Sequence, residues 1–489
     1  MTSTACYLSD LLHGLADVSD AAHCKVHGLK IDSRKVKPGD VFIAMPGMVM
    51  DGREFIGDAV ASGAVAVLYE KGDDFEFPVA PVPVIAVPNL RQNIGFMADR
   101  FYGAPTRHLV VVGVTGTNGK TTCTHLMAQA LDQAPTRCAL IGTLGSGLPD
   151  ALNTAILTTP DAVTVHCLMA GFLAQGATHV AMEVSSHALH QGRVRGVAYD
   201  VAVFTNLTRD HLDYHGDMAI YGQAKAGLFA VEGLKHAVIN HDDDFGRGIL
   251  ARLSTNIKTL SYGIEGGDIR ASNIRPAPEG LAMNIGTPFG NTELRSPLIG
   301  RFNVYNLLAV LATLLALGMK LDEAVTRLAR AQAPTGRAQK FGGVNGLPLV
   351  VVDYAHTPDA LEKILLALRE HTRGKLWCVF GCGGDRDRGK RPVMGEIAER
   401  LADVVVLTDD NPRHESGDAI IADIHNGMRT TPRVIRDRRT ATAEAIRSAG
   451  EGDIVLIAGK GHEDYQQIGD ERLPYSDRLA VHELLGVAA

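Results

Sequence analysis

Short apolar runs rich in β-branched residues alternate along the chain with longer stretches whose apolar residues recur at helical spacing. The short runs end in Gly, Asp, Asn or Pro, which is typical of buried strands that lead into turns. The longer stretches predict amphipathic helices. Because an apolar strand followed by a helix recurs many times, the pattern favours parallel sheets that helices cover on both faces.

The predicted strands form three groups, and helices at 304–317 and 321–331 end the second group. A length of 489 residues exceeds what a single core ordinarily holds. We therefore predict an α/β fold with three domains: a small N-terminal α/β domain at 1–88, a central parallel-sheet domain at 89–336 and a C-terminal Rossmann-like domain at 337–489. The strands are predicted at 41–44, 65–68, 84–87, 109–114, 179–184, 200–205, 236–240, 349–352, 376–380, 403–407 and 453–457.

Composition and charge argue against several classes of protein. The formal net charge is −7, so no basic field is available to bind nucleic acid. The first residues lack a basic segment followed by a long apolar run, and no apolar stretch is long enough to span a membrane. The seven cysteines are scattered, which indicates reduced thiols rather than disulfides or a zinc site. We expect a cytoplasmic protein with no membrane insertion.

The strongest local signal is the segment Val-Val-Gly-Val-Thr-Gly-Thr-Asn-Gly-Lys-Thr-Thr at 111–122, which joins a predicted strand to a predicted helix. Backbone N–H groups of such a loop surround a phosphate, Lys120 neutralises the β- and γ-phosphates, and the hydroxyl of Thr121 can bind Mg²⁺. Val114 stands where the strict Walker A pattern has its first glycine. An ordinary tight turn is the alternative, but Gly, Lys and two Thr in that order after a buried strand favour an ATP site.

Two further polar segments follow predicted strands of the central sheet. Glu183 opens Glu-Val-Ser-Ser-His, and His211 lies in Asn-Leu-Thr-Arg-Asp-His-Leu-Asp. Carboxyl ends of parallel strands gather ligands, so both side chains could face the phosphates and bind Mg²⁺, although His is an unusual ligand for that ion. A helix cap or a satisfied polar contact is the alternative for each. Lys225 lies on a predicted helix, and the residues alone favour a solvated surface lysine there.

Together with Gly-Arg-Phe-Asn-Val-Tyr-Asn (300–306) and Val-Asp-Tyr-Ala-His-Thr-Pro-Asp (352–359), these motifs occur in the order seen in Mur ligases. The chain resembles that family over essentially its whole length. The resemblance implies an ATP-dependent ligase that forms an amide bond through an acyl phosphate, in the synthesis of bacterial cell-wall precursors. It also implies a UDP-binding N-terminal domain, a central ATP-binding P-loop domain, a C-terminal domain that binds the incoming amino acid, and a monomer.

Asp-Asn-Pro-Arg at 410–413 resembles the signature of the family members that add meso-diaminopimelate to UDP-N-acetylmuramoyl-L-alanyl-D-glutamate. This diamino acid differs from lysine by a carboxylate at the far end of its side chain. The guanidinium of Arg413 can bind that carboxylate with two parallel hydrogen bonds and has no such partner on lysine. A turn at Asn411 and Pro412, with Arg413 on the surface, is the alternative.

The resemblance also implies roles for individual residues. The phosphate loop that the resemblance implies consists of Gly116, Thr117, Asn118, Gly119, Lys120, Thr121 and Thr122. Asn303 is expected at the adenine, and Arg337 and Asp353 are expected near the ribose and phosphates. Mg²⁺ ligands are Thr121, Glu183, His211 and Lys225, with Lys225 converted by CO₂ into a carbamate. Catalytic roles go to Lys120, Lys225, His211 and Glu183. The contacts that the resemblance implies for the uridine diphosphate part are Ile31, Ser33, Met48, Val49 and Met50. Those for the muramoyl dipeptide are Thr158, Thr159, Ser185, Gln191 and Arg193. Those for the diamino acid are Arg391, Asp410, Asn411, Pro412, Arg413, Gly459 and Glu463.

Three alternative functions remain open on the sequence. A folylpolyglutamate synthetase shares the central architecture and the acyl-phosphate chemistry, but would not be expected to carry Asp-Ser-Arg near the N-terminus or the 410–413 motif. A lysine-adding muramyl ligase is closer, and Arg413 argues against it. A nucleotide-operated switch would bind and hydrolyse nucleotide without an amino-acid acceptor. For the ligase, the residue that accepts the amine proton is not evident, and His356 is a candidate.

Overall fold

The structure is a computed structural model that describes residues 6–16, 24–47, 50–70, 80–155, 157–277 and 279–486. The chain divides into two compact units, Met1–Leu260 and Ser261–Ala489. Each unit contains parallel strands and helices, so the predicted α/β class is confirmed. Within the described part of the chain, no helix has both the length and the hydrophobicity that a bilayer crossing requires.

The N-terminal part of the first unit contains a small parallel sheet. A short antiparallel pair precedes this sheet, whose strand order is β3-β4-β5-β6. Apolar side chains of both faces are buried, as expected for a sheet covered on both sides. The elements are β1 (Cys6–Tyr7), α1 (Leu8–Leu12), β2 (Lys25–Val26), β3 (Gly28–Lys30), β4 (Asp40–Ala44), α2 (Ile56–Ala61), β5 (Ala66–Glu70), β6 (Val84–Val87) and α3 (Leu90–Phe101).

The larger sheet of the first unit has the order β10-β9-β8-β11-β7-β12-β13. Strands β8, β11, β7, β12 and β13 are parallel, and β9 and β10 add an antiparallel edge. The elements are β7 (Val110–Thr115), α4 (Lys120–Leu131), β8 (Cys138–Gly142), β9 (Gly145–Leu148), β10 (Ala151–Asn153), α5 (Ala162–Ala174), β11 (His179–Glu183), α6 (Ser186–His190), β12 (Val201–Phe204), α7 (Leu212–His215), α8 (Met218–Ala226), β13 (His236–Asn240) and α9 (Asp244–Leu250).

Strand β14 (Lys258–Gly263) carries the chain into the second unit. Three antiparallel strands follow it, and two helices then lead to the last sheet. These elements are β15 (Ile269–Ala277), β16 (Gly280–Thr287), β17 (Gly290–Ser296), α10 (Arg301–Ala316) and α11 (Leu321–Leu328). The sequence did not predict β15–β17, because their alternating polar and apolar residues are partly exposed and lack the continuous apolar runs of the parallel strands.

The last sheet has the order β18-β19-β23-β20-β21-β22 and is parallel except for β18. Helices α12–α14 pack on one face and α15 and α16 on the other, which is the predicted doubly wound arrangement. The elements are β18 (Gln339–Gly342), β19 (Leu349–Asp353), α12 (Pro358–Arg369), β20 (Leu376–Phe380), α13 (Lys390–Leu401), β21 (Val404–Leu407), α14 (Gly417–His425), β22 (Arg433–Val434), α15 (Arg438–Ser448), β23 (Ile454–Ala458), β24 (Tyr465–Ile468), β25 (Glu471–Pro474) and α16 (Asp477–Leu485).

Every strand predicted from an apolar run is present, with ends that differ by a residue or so. Strands β8, β9 and β10 were not predicted, although β8 is fully buried. All seven cysteines are free, as predicted. The domain boundaries at 88 and 336 stay a prediction.

A buried ion pair joins α15 to α16. The guanidinium of Arg438 donates to both carboxylate oxygens of Asp477 at 2.8 Å, and both side chains are almost fully buried. Removing one partner leaves the other charge without compensation in a medium of low polarity.

We expect Asp477→Ala to lower the free energy of unfolding by about 3–5 kcal/mol. Urea unfolding followed by tryptophan fluorescence measures this, because the single tryptophan, Trp377, is buried in β20 of the same sheet. Glu362→Ala is the matched control, since the pair of Glu362 with Arg400 is exposed and contributes below about 1 kcal/mol. Equal losses for the two variants would contradict the importance of the buried pair.

Candidate active site

The loop between β7 and α4 has the strand–turn–helix geometry that the sequence predicted. Gly116 and Gly119 have positive φ values of +148° and +88°, and α4 begins at Lys120. A Cβ atom at Gly116 would lie 1.8 Å from the hydroxyl oxygen of Thr205. Only glycine therefore fits at 116, and the turn brings the start of α4 against the end of β12.

Side chains after β12 hold this loop in place. The hydroxyl of Thr205 donates to the carbonyl of Asn118 at 2.6 Å, and the side-chain oxygen of Asn206 accepts from the N–H of Asn118 at 3.0 Å. Thr117 Oγ1 accepts from the N–H of Thr208 at 3.0 Å. Sequence reasoning did not assign Thr205 or Asn206. Their position directly after a strand of the same sheet was the available signal.

Two lysine side chains converge on one carbonyl oxygen of the loop. Lys120 Nζ donates to the carbonyls of Gly116 and Thr117 at 2.9 Å, and Lys225 Nζ donates to that of Gly116 at 2.8 Å. Lys225 is only 1% exposed, so its interpretation as a solvated surface lysine was wrong. Burial, and secondarily the charge of Lys120, lower the pKa of Lys225 to about 6. A large part of this amine is thus neutral at pH 7.

Glu183 ends β11 with a buried carboxylate beside the phosphate loop. Its Oε2 accepts from the hydroxyls of Thr121 at 3.0 Å and Thr143 at 3.2 Å, and its Oε1 accepts from the N–H of Thr143 at 2.8 Å. A carboxylate and a hydroxyl side by side are hard oxygen donors of the kind that Mg²⁺ takes. Sequence reasoning missed Thr143, because it follows the unpredicted strand β8.

His211 immediately precedes α7 and has the left-handed conformation, with φ +54°. Its ring lies edge-on to that of His187 at a centroid distance of 4.8 Å, in a cluster with Tyr214 and His215. Burial and then the neighbouring histidines lower the pKa of His187 to about 4, which keeps this ring neutral. Within the described residues, no three His, Cys, Asp or Glu side chains form a group that could hold a metal ion. Thr121 and Glu183 are the predicted ligands that the structure joins directly.

The residues expected at the muramoyl dipeptide are linked to one another next to Glu183. Thr159 Oγ1 donates to the carbonyl of Glu183 at 2.8 Å and accepts from the N–H of Ser185 at 3.1 Å. Arg193 donates to the carbonyl of Thr159 at 3.0 Å and to the side chain of Gln191 at 2.8 Å. In addition, Thr158 and Thr143 share a hydroxyl–hydroxyl hydrogen bond of 3.0 Å, and Gln191 donates to the hydroxyl of Tyr214, which the sequence did not single out.

The residues expected at the uridine diphosphate follow strands β3 and β4 of the small sheet. Ile31 and Met50 have exposed side chains, and Ser33 begins a 3₁₀ turn that Asp32 caps. Met48 and Val49 lie outside the described residues. Since β3 and β4 are parallel, the segments after them meet at one edge of the sheet, which is where ligands bind in such folds.

Three residues expected at the nucleotide belong to the second unit. Asn303 is buried, and its amide donates to the carbonyl of Ile299 and accepts from Asn306, both at 2.8 Å, so the side chain is engaged within its own helix region. The guanidinium of Arg337 lies 4.8 Å from the ring centre of Tyr354. Among the described atoms, its buried Nε has no hydrogen-bond partner, which leaves one donor for a ligand.

Asp353 ends β19, and His356 follows this strand. The carboxylate of Asp353 accepts from the N–H groups of Ala338 at 2.7 Å and Ala355 at 2.8 Å, and burial raises its pKa. The Nδ1 of His356 is 2.8 Å from the carbonyl of Tyr354. That carbonyl is an acceptor, so Nδ1 carries the proton and Nε2 is left as the basic atom of this candidate.

The 410–413 loop follows β21 and places charged groups at the carboxyl edge of the last sheet. Asp410 and Asn411 are buried, and Arg413 is half-buried with φ +51°, donating to the carbonyl of Gly384 at 2.7 Å. The amide of Asn411 donates to Glu463 at 3.0 Å. Gly459, with φ +116°, lets the chain pass Asp410 closely. A guanidinium and a carboxylate at one edge suit a ligand that carries both a carboxylate and an ammonium group.

Arg391, in contrast, is fully buried in α13 and already paired. It donates to Glu415 at 2.8 and 3.0 Å, to Asp423 at 2.8 Å and to the carbonyl of Gly383 at 3.2 Å. Hydrogen bonds from Arg391 lower the pKa of Glu415 to about 2. Arg391 therefore braces the segment next to Gly384, the residue to which Arg413 donates.

Three family models match most of the chain. They describe a Mur ligase family catalytic domain at 25–102, a Mur ligase middle domain at 114–314 and a Mur ligase glutamate ligase domain at 336–461. The chain belongs to the Mur ligase family. The predicted resemblance is confirmed, and the Mur ligase middle-domain match contains the phosphate loop, Glu183, His211 and Lys225.

Individual Mur ligases are similar over nearly the full length. A curated relative from Alkalilimnicola ehrlichii, named UDP-N-acetylmuramoyl-L-alanyl-D-glutamate–2,6-diaminopimelate ligase, is 50% identical and covers 98% of each chain. One of the same name from Pseudomonas aeruginosa is 52% identical over 92% of this chain and 93% of its own. A solved structure with that name is 37% identical, covers 99% of both chains and superposes with a TM-score of 0.76.

Proposed function

We propose that the protein is an ATP-dependent ligase that adds meso-2,6-diaminopimelate to UDP-N-acetylmuramoyl-L-alanyl-D-glutamate during synthesis of the peptidoglycan precursor. The observation that carries the proposal is the 410–413 loop, where Arg413 and Glu463 offer opposite charges at one sheet edge. Relatives named for this reaction support it, since they cover nearly the whole chain at about half identity. A folylpolyglutamate synthetase or a nucleotide-operated switch would not need a guanidinium and a carboxylate arranged in this way.

In the first step, the γ-carboxylate of the D-glutamate attacks the γ-phosphate of ATP and yields an acyl phosphate and ADP. Both reactants are anions, so their approach requires positive charge in a site that excludes water. Lys120 supplies such a charge at the loop. Mg²⁺, held by Thr121 and Glu183, adds further charge neutralisation when bound. Thr143 orients the carboxylate of Glu183 through hydrogen bonds to both of its oxygens.

We propose that the neutral amine of Lys225 adds to CO₂ and loses a proton to solvent, which gives a carbamate. Together with His211, this carbamate would provide oxygen and nitrogen ligands for a second Mg²⁺. Only a neutral amine reacts with CO₂, and the lowered pKa of Lys225 makes the neutral form abundant at pH 7. The modification replaces an amine whose protonated form is repelled by Lys120 with an anion that Lys120 attracts.

In the second step, the free amine of the diamino acid attacks the acyl phosphate, and phosphate leaves. Arg413 holds the far carboxylate and Glu463 the ammonium beside it, so that the opposite amine is the one presented for reaction. The Nε2 atom of His356 is our candidate acceptor for the amine proton.

We further propose that the three domains at 1–88, 89–336 and 337–489 bind the UDP part, ATP and the diamino acid respectively, and that the enzyme acts as a cytoplasmic monomer. A formal net charge of −7 supports a small-molecule substrate rather than nucleic acid.

The proposal is tested by ADP release in the presence of the muramoyl dipeptide nucleotide, with meso-diaminopimelate or lysine as acceptor. We expect release that depends on diaminopimelate, and ¹⁸O from the labelled dipeptide carboxylate in the product phosphate. Lys120→Ala should reduce the rate by about 100- to 1000-fold, because it removes charge stabilisation of the transition state. Lysine working equally well, or phosphate without label, would refute the proposal.

For Lys225, we expect a ¹³C carbamate signal by NMR in ¹³C-bicarbonate near neutral pH. The folded pKa lies below the ordinary value of 10.5, so the signal should persist down to about pH 6 and disappear below it, as the amine becomes protonated. Lys225→Ala should lose about 100- to 1000-fold in turnover and recover in part with added formate. Lys235→Ala is the control, since Lys235 is exposed. A Lys225 variant with normal turnover contradicts the metal-ligand role.

Arg413→Ala should raise KM for diaminopimelate by about 100-fold and leave KM for ATP nearly unchanged, because a charged hydrogen-bonding partner of the far carboxylate is lost. Steady-state kinetics with each substrate varied in turn measures this. Arg386→Ala is the matched control, since the exposed Arg386 lies on the facing loop close to Gly383. Equal changes in the two KM values would remove the carboxylate contact from the proposal.

A further inference from the structure

Lys460 is a fully buried cation beneath the 410–413 loop, and neither the sequence motifs nor the proposed mechanism gives it a role. Its Nζ donates to the side-chain oxygen of Asn411 at 2.8 Å and to the carbonyl of Tyr465 at 2.7 Å. It also lies 3.3 Å from Asp410 and 3.6 Å from Glu463. A buried ammonium group stays charged in a folded protein only when it is paired. Here its partners all belong to, or adjoin, the candidate diamino-acid site at the 410–413 loop.

The first consequence is a fixed orientation of the Asn411 amide. Its oxygen accepts from Lys460 and, at 2.9 Å, from the N–H of Gln467. Two donors on one side determine which end of the amide is oxygen, so the NH₂ group must point to Glu463, to which it donates at 3.0 Å. Lys460 thereby orients, through Asn411, the carboxylate that we assign to the substrate ammonium.

The second consequence concerns Arg413. The hairpin of β24 and β25 begins at Tyr465, whose carbonyl Lys460 binds. Arg413 donates its N–H to the carbonyl of Gln467 at 3.1 Å and accepts from the N–H of Gly469 at 2.8 Å. The hairpin therefore holds Arg413 in its left-handed conformation, and Lys460 anchors the start of that hairpin.

A third consequence is electrostatic. The buried ammonium group of Lys460 lies near two carboxylates, those of Asp410 and Glu463. Without Lys460, both carboxylates would lose the ammonium group that lies 3.3 Å from Asp410 and 3.6 Å from Glu463.

We propose that Lys460 is the positioning residue of the diamino-acid site. It orients the carboxylate of Glu463 through Asn411 and anchors the hairpin that holds the backbone of Arg413, so that both groups are in place for the ammonium and the carboxylate of the substrate. This inference rests on the proposed function and extends it to a residue that does not touch the substrate.

The test is Lys460→Met, which keeps an unbranched side chain of similar length and removes the charge and the donors. We expect KM for diaminopimelate to rise about 10- to 100-fold, the usual cost of losing a partner that orients a binding group. KM for ATP and for the muramoyl dipeptide nucleotide should stay within about twofold, and the preference for diaminopimelate over lysine should fall in parallel. Arg472→Met is the matched control, since Arg472 is an exposed cation of the same hairpin, stacked on Tyr465 at 4.5 Å.

A double variant separates positioning from general stability. If Lys460 acts through Asn411, then Lys460→Met combined with Asn411→Leu should lose no more than the worse single variant. Should Lys460→Met not fold by circular dichroism, Asn411→Leu alone takes its place, with the same selective rise expected. An unchanged KM for diaminopimelate, an equal rise of all three KM values, or additive losses in the double variant would each overturn the proposal. Absence of diaminopimelate-dependent ADP release in the unaltered protein would instead overturn the proposed function, and this inference with it.

Discussion

Positive charge confined at the carbonyl oxygen of Gly116 is the interaction on which the candidate active site depends. Two lysine side chains donate to this one oxygen, although their protonated forms repel each other and Lys225 is removed from water. The loop cannot open to separate them, because Thr205 fills the space beside Gly116 and residues 205–208 hold the loop's backbone. Such an arrangement relaxes in two ways: an anion enters, or one lysine gives up its proton.

The carboxyl ends of the parallel strands explain why the remaining groups gather where they do. Glu183 ends β11, the segment at 205–208 follows β12, and Thr143 follows β8. These strands are neighbours or near neighbours in one sheet, so their following residues are brought to one edge regardless of their distance along the chain. In the last sheet, β21 and β23 place the 410–413 loop and Glu463 in the same way. The candidate site residues are therefore supplied by several short loops on a rigid support.

Three buried cations of the second unit are each paired with carboxylates. Arg391 is compensated by Glu415 and Asp423, Arg438 by Asp477, and Lys460 by Asp410 and Glu463. These buried cations do not need a ligand to be stable, so they hold the loops in place before substrate arrives. Arg413 differs, because it is half-buried and its guanidinium donates to the backbone carbonyl of Gly384. It is suited to accept an outside carboxylate.

Local sequence patterns predicted most of the parallel strands, the phosphate loop, the family and the loop that carries Arg413. All of these depend on local composition or on motifs, in which neighbouring residues carry the whole signal. Only the tertiary structure decided that Lys225 is buried against Gly116, that Arg391 is already neutralised, that the Asn303 amide is engaged within its own helix region, and that Thr143, Thr205 and Lys460 support the site. The reason is physical: burial, charge compensation and hydrogen-bond partners are properties of residues that are far apart in the chain and meet only when the sheets form, so no local pattern encodes them.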